Sequence, residues 1–382
     1  MDDTKTKKQR IHIEALWIYP LKGASPIRVE SALVDTWGLQ YDRIYMLVEQ
    51  DRKQDNMFKS MSQKRYPKVR REQSTPSRTT LVADPASKPG LFSRAWFQLF
   101  RSHIDHLSSR SLQMARLVQT IEIGVSGCPE SLVVVNKDSE DRVQMALDPE
   151  QVLDLTGVEG LSRRFVTMPF YPRPLQCCDM GDSFANFFTT FMRKPCRLVY
   201  RDPNREVYGS RPETGSLLWD RVAPRIWNLK RQYRTALTDA APLHIITSES
   251  LSNLCDLSRG HAIAPERFRP NIMLSGCKAW EEESWKLVEV DGVGRIAITS
   301  RCPRCGVPDV KLDTGERDRE VQPSTILKKF HTTDPSPEWG DRPMFGMWAI
   351  HLFQGNRIHF TYHRAFIQRK RRLANVTIPR PR

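Results

Sequence analysis

The chain has 382 residues, with 59 Lys and Arg against 44 Asp and Glu, for a formal charge of +15. A hydrophobic fraction of 39% supports a packed core and excludes global disorder, and eight cysteines without a repeated framework exclude a disulfide-stapled scaffold. No apolar run approaches the ~18 residues of a membrane span, and the polar start, from Asp2 to Arg10, lacks the apolar core of a signal peptide. These features point to a soluble, cytoplasmic protein with reduced thiols and two or three domains.

Ile11, Ile13, Ala15, Trp17 and Tyr19 alternate with His12 and Glu14, the period-two pattern of a strand with one buried face. After Pro20 and the turn Lys22-Gly23-Ala24-Ser25-Pro26, Ile27–Val34 reads as a second strand and Ile44–Val48 as a third, so the opening reads as a β-meander with Asp42 and Arg43 at the mouth of its third strand. Residues 51–78 read as a basic loop, and the Trp- and Phe-bearing stretch 91–117 as part of an insertion near 85–118. A hairpin is expected over 131–145, and a helix from Asp182 carrying Phe184, Phe187, Phe188, Phe191 and Met192 on one face. It would be capped by Asp or Ser and stopped by Pro195, with a strand at 196–200. The Pro- and Arg-rich span 202–234 separates two halves, 11–200 and 235–362.

In the second half His244-Ile245-Ile246 reads as a strand, followed by a short helix capped by Ser248. Trp285–Val290 and Arg295–Ser300 read as strands around an Asp-Gly turn, and the second runs into Cys302-Pro303-Arg304-Cys305. Residues 363–382 carry seven Lys and Arg and no acid. They read as a disordered basic tail, with no aromatic platform to suggest nucleic-acid binding.

A single C-x-x-C has several uses. Structural zinc needs four ligands, and no second close-spaced pair is present. A redox dithiol belongs at a helix start, whereas Gly306-Val307-Pro308-Asp309 does not resemble one. A soft thiolate ligand for a transition metal, and two small residues that merely fill a core, both remain open on spacing alone.

Four blocks together point further: Leu16-Trp17-Ile18-Tyr19-Pro20-Leu21-Lys22; Gly38-Leu39 through Asp42-Arg43 to Leu47-Val48; Phe268-Arg269-Pro270-Asn271 with Ser275-Gly276-Cys277 and Glu282 to Trp285; and Arg304-Cys305 with Asp313-Thr314-Gly315. In this order they resemble the MOSC-domain superfamily, and within it the mitochondrial amidoxime reducing components. The resemblance implies a mixed α/β, mainly β fold: an N-terminal MOSC β-barrel module over 11–200, a MOSC domain over 235–362, and the basic tail. It implies a pyranopterin molybdenum cofactor with Cys305 as metal ligand and catalytic residue. Lys22, Arg43 and Arg269 would contact its anionic phosphate, a role that suits the bidentate guanidinium, and Asn271 and Arg304 would add hydrogen bonds. Cys302 would stand behind the ligand.

The implied activity is a molybdenum-dependent oxidoreductase reducing N-hydroxylated compounds by oxygen-atom transfer. A separate haem electron carrier and a flavin reductase would be its partners, and mitochondrial association is the alternative to the cytoplasm. The chain departs from the family pattern at Gly23, Ala240, Ala241 and Pro303, where relatives carry hydroxyl side chains. Two alternatives stand beside this reading. One is a sulfur carrier with a cysteine persulfide, as in molybdenum cofactor sulfurases; their pyridoxal phosphate domain enters only by association, since this length is too short for it. The other is a degenerate cofactor-binding module.

Overall fold

The computed structural model describes residues 11–50, 58–60, 111–123, 129–147, 165–168, 175–201, 236–239, 241–332, 341–359 and 364–369. The expectations for 61–110 and 202–234 lie outside these residues. In chain order the first half supplies strands β1 (Ile11–Ile18), β2 (Ile27–Val29), β3 (Ser31–Asp35), β4 (Gly38–Leu39), β5 (Tyr45–Gln50) and β6 (Phe58–Ser60). After them come β7 (Leu117–Ile123), β8 (Pro129–Asn136), β9 (Arg142–Ala146), β10 (Phe165–Met168), β11 (Leu175–Asp179), helix α1 (Asp182–Met192) and β12 (Arg197–Arg201). The second half supplies β13 (Leu243–Thr247), α2 (Ser248–Leu257), β14 (Ile272–Ser275), β15 (Trp285–Val290), β16 (Gly294–Pro303), α3 (Pro323–Phe330), β17 (Met344–His351), β18 (Arg357–His359) and β19 (Arg364–Arg369).

The largest sheet has the order β14-β13-β17-β16-β15-β19-β1-β2, and a further pairing of β1 with β14 curls it back on itself. Curling satisfies two edges that would otherwise expose unpaired backbone groups. β1 makes this possible. Its alternation holds through Glu14, and a register shift between Ile13 and Ala15 then leaves Ala15–Ile18 buried throughout. Ile11, Ile13, Leu16 and Ile18 pack with Leu243, Ile245, Ile272, Ile296 and Ile298, whereas Ala15 and Trp17 face Leu251, Leu254, Leu327 and Phe345. The first strand of the chain therefore lies in one sheet with strands of the second half. A separate sheet, β10-β11-β12-β5-β6, and the β7-β8-β9 sheet pack with α1 around Tyr45, Leu117, Leu132, Phe188 and Leu198.

Three local expectations need correction. The opening strands do not form a meander: only β1 and β2 pair, β3 pairs with β4 and β18, and β5 pairs with β12 and β6. The run Tyr45-Met46-Leu47-Val48 is fully buried, which requires a strand covered on both faces rather than the third strand of a surface hairpin. Both helix caps fall one residue earlier than expected. Gly181 begins α1 without a side-chain bond, and Thr247 caps α2 by accepting from the Ser250 N–H at 3.3 Å. α1 ends at Arg193 in the left-handed region, before Pro195 is reached. Finally, the tail is not all tail. Arg364–Arg369 forms β19 between β15 and β1, a role masked in the sequence because charge counting over 363–382 hides the short apolar run Ala365-Phe366-Ile367.

Candidate functional site

The end of β1 begins the site. Tyr19 is fully buried, and its phenol donates to the Pro270 carbonyl at 3.1 Å, while its backbone N–H donates to Asp42 Oδ1 at 2.9 Å. Two guanidinium groups lie over the Tyr19 ring, Arg43 at 4.7 Å and Arg269 at 4.2 Å from its centroid. The aromatic face offers both cations a partner that water-poor surroundings would otherwise deny them. Burial pushes the phenol well up, so Tyr19 is neutral between its two cations.

Arg43 and Arg269 share a second property: both adopt left-handed backbone angles, φ 50° and 55°. That conformation is unfavourable for a side chain with a Cβ and persists only where surrounding contacts fix it. Arg43 is fixed by Asp42, to which Nη1 donates, by Asn271 Oδ1 at 3.2 Å, and by the Arg269 carbonyl, which accepts from Nη2 at 3.2 Å. Burial is the largest single influence and works against its charge, but Asp42, Tyr19 and Asp239 together outweigh it and raise the guanidinium pKa. Arg269 has less support. Nη1 donates to the Ala24 carbonyl at 2.7 Å, whereas Nη2 is buried with no acceptor. Burial lowers its pKa to about 10, opposed by the Tyr19 phenol and worsened by Arg43.

The cysteine pair enters from the far end of β16. Cys302 is buried within the strand, and burial pushes its thiol up to about 11 against the pull of Arg304. Arg304 Nη1 donates to Cys302 Sγ at 2.9 Å and Nη2 to the Phe268 carbonyl at 2.7 Å; Nε is buried and unpartnered. Pro303, which lacks an N–H, stands where the ladder with Met344 ends, and the next N–H, of Arg304, reaches the Pro343 carbonyl at 2.8 Å. Cys305 follows as a half-exposed free thiol.

Of the residues singled out from sequence, Arg43, Arg269 and Asn271 are joined by direct contacts, and Arg304 reaches the same turn through the Phe268 carbonyl. Lys22 joins through Asp239: its Nζ donates to Asp239 Oδ1 at 2.6 Å, and the same carboxylate acts on Arg43, Arg269 and Cys302. Asn271 lies beneath the cluster. Its side chain accepts from Arg43 and from the His244 N–H at 3.1 Å and donates to the Trp17 carbonyl at 3.3 Å, so it ties β1, β13 and Arg43 together. Among the departures from the family pattern, Gly23 has φ +96° with a built Cβ 3.2 Å from Met114 Cε, and Ala241 is buried, so neither position offers room for an outward hydroxyl. Ala240 lies outside the described residues.

Three contributors escape the sequence reading. His244 was legible only as a strand residue, yet its ring nitrogens lie 3.4 Å from the Arg269 and Phe345 carbonyls, and burial together with Arg304 keeps it neutral. Gly346 makes that possible. A Cβ there would sit 2.5 Å from His244 Nε2. Asp239 reads as an ordinary loop acid, and Tyr19, although it stands in the first of the four blocks, reads there as a strand aromatic rather than a site residue.

The site therefore holds four cations, Lys22, Arg43, Arg269 and Arg304, against two carboxylates, Asp42 and Asp239, beside one half-exposed thiol. Buried donors without acceptors cost roughly 1–3 kcal/mol each, and Arg269 Nη2 and Arg304 Nε are donors that an anion would satisfy. A phosphate-bearing group with a soft metal fits this donor set: guanidinium groups for the phosphate, and a thiolate for the metal. Among the described residues no group of three or more His, Cys, Asp and Glu could hold a metal alone, so a metal here needs ligands of its own.

Comparison with known proteins gives the family. Residues 10–101 match the family model "MOSC N-terminal beta barrel domain" and residues 232–359 the model "MOSC domain". The chain is 32% identical over 220 residues to "Mitochondrial amidoxime reducing component 2" of Macaca fascicularis, covering 57% of this chain and 61% of that one. It is 31% identical over 177 residues to the Bos taurus protein of the same name, covering 46% and 48%. "Molybdenum cofactor sulfurase" of Homo sapiens is 27% identical over 181 residues, 45% of this chain and 18% of that protein. The chain spans about half the length of the curated relatives it matches first.

Proposed function

Since the chain belongs to the MOSC-domain superfamily, with both the N-terminal β-barrel domain and the MOSC domain, we propose that it is a molybdenum-cofactor oxidoreductase that reduces N-hydroxylated compounds. The observation that carries this reading is the pairing of a half-exposed thiol, Cys305, with buried cationic donors left unspent on Arg269 and Arg304. Arg269, Arg304, Arg43 and Lys22 would hold the phosphate end of the cofactor, and Cys305 would ligate the metal. When bound, the cofactor supplies two-electron oxygen-atom transfer, chemistry that no side chain here provides.

The chain's own residues then prepare the site. Arg43 and Arg269 are fixed by Tyr19, Asp42 and Asn271 before any ligand arrives, so little ordering is left to be done on binding. Cys302, protonated and hydrogen-bonded by Arg304, is a packing and orienting neighbour rather than a second ligand. His244, neutral, places a dipole instead of a fifth cation behind the cluster. The overall reaction takes an amidoxime, two protons and two electrons to an amidine and water. The electrons would come from a separate haem carrier and flavin reductase, and the relatives' names make mitochondria the compartment to test first. No described helix is long and apolar enough to cross a membrane.

The test is reduction of an aryl amidoxime by the loaded protein with a reduced viologen as donor. Amidine should form with the parent and fall to background with Cys305→Ala. A second reading, a persulfide carrier, is favoured by the similarity to the sulfurase. It predicts no amidine, and a sulfane-sulfur label on Cys305 that Cys305→Ala removes.

A further inference from the structure

The turn Pro265–Phe268 and the four residues after it hold almost every part of the site. Pro270 accepts from Tyr19, the Arg269 carbonyl from Arg43, the Phe268 carbonyl from Arg304, and Asn271 secures Arg43. One side chain on this turn faces elsewhere. Arg267 is 6% exposed and spends three donors on the segment that follows Cys305: Nε on the Pro308 carbonyl at 2.5 Å, Nη1 on Asp318 Oδ2 at 3.0 Å and Nη2 on the Val321 carbonyl at 2.9 Å.

That segment is also held by packing, Val310 against Ala115 and Val321 in the cluster of Trp17, Phe268 and Phe345, but its polar anchors are few. It passes from β16 through a short 3-10 turn, Val307–Asp309, to α3, and its other buried acid, Asp309, caps α3 by accepting from the Ser324 N–H at 2.9 Å and hydroxyl at 2.5 Å. Asp318 also accepts from the N–H groups of Glu320 and Val321, both at 3.0 Å, which closes the loop on itself. Arg267 adds the hydrogen-bonded tie between this loop and the turn that carries the cation cluster, one residue from Phe268 and two from Arg269.

We infer that Arg267 is a positioning residue, which through Pro308, Asp318 and Val321 fixes the Cys305 thiol relative to the cations that flank it. The inference deepens the cofactor reading and rests on it for its purpose, because a metal ligand must stand at a set distance from the groups that hold the rest of the cofactor. A planar guanidinium with a fixed fork suits the task, since it restrains three acceptors in one plane where an ammonium would restrain one point. A buried ion pair kept only for stability would behave differently: its loss would loosen the whole domain rather than one loop.

The test uses the full chain without cofactor. Alkylation by N-ethylmaleimide is followed at each cysteine by peptide mass, with Cys255 on α2, also half-buried, as the internal reference. Arg267→Met should raise the ratio of Cys305 to Cys255 labelling rates by about tenfold, and Asp318→Asn by about threefold, as local opening becomes easier without the charge-assisted bonds. Should Arg267→Met fail to fold, the Asp318→Asn ratio decides. A ratio unchanged from the parent overturns the inference, and so does a parallel rise at both cysteines with a fall in Tm. Because no metal is needed, labelling stands apart from the cofactor reading, which fails instead if the parent binds no molybdenum.

Discussion

Arg269 concentrates the cost of the site in one side chain: a guanidinium whose pKa burial lowers to about 10 and whose Nη2 has no acceptor. Arg269→Ala should therefore weaken cofactor retention at least tenfold while leaving Tm unchanged or slightly raised, because the folded chain loses a poorly satisfied charge; pterin content after gel filtration and a thermal melt check both. Glu282 gives a separate readout of burial. It is 1% exposed, Oε2 accepts from the Ser250 and Thr247 hydroxyls at 2.9 and 3.1 Å, and burial raises its pKa from 4.5 to about 7. A raised carboxyl contributes stability that is complete below its unfolded pKa and is lost as pH rises through its folded one. Tm of the parent should fall between about pH 5 and pH 8 by an amount that Glu282→Gln largely removes, and the slope rather than the absolute Tm is the measurement. At this scale the sequence reveals candidate ligands better than supports. Lys22, Arg43, Arg269, Arg304 and Cys305 stand in recognisable blocks, but Asp239, His244 and Arg267 reach the site across long stretches of chain and leave no local pattern.

The strands position these side chains through a few close contacts, and two of them make sharp predictions. β17 approaches β13 so tightly that a Cβ at Gly346, φ +74°, would meet His244 Nε2 at 2.5 Å and the Ile245 carbonyl at 2.8 Å. Gly346→Ala should cost about 2–4 kcal/mol in urea unfolding. Asn271→Ala would strand the His244 N–H and the Trp17 carbonyl and release Arg43, for about 2–3 kcal/mol by the same measurement. Strand positions were legible because burial on one face writes a period of two, as in Ile11–Glu14, and β15, β16 and α1 follow from similar patterns. Pairing was not legible. β5 reads as an apolar run whether it lies in a hairpin or a sheet interior, and only its tertiary neighbours, β12 and β6, decide.

Over the whole molecule the main consequence is that both termini of the described chain meet in one sheet: β1 pairs with β14, β2 and β19, and β19 completes the row to β15. Truncation before Arg364 should leave edges open on β1 and β15 and yield aggregated or poorly soluble protein, as judged by light scattering. That role for a basic segment is invisible to composition, which records only seven cations over 363–382. The same architecture brings Arg43 from the first half against Arg269 and Asn271 from the second, and Lys22 against Asp239, so the cation cluster exists only when the sheet is assembled. If this assembled cluster and Cys305 together hold a molybdenum cofactor, protein from a host that makes the cofactor should carry near one molybdenum per chain by elemental mass spectrometry, and the Cys305→Ala variant almost none. A folded parent without molybdenum, or a Cys305→Ala variant that retains it, would overturn the assignment of the cofactor to this site.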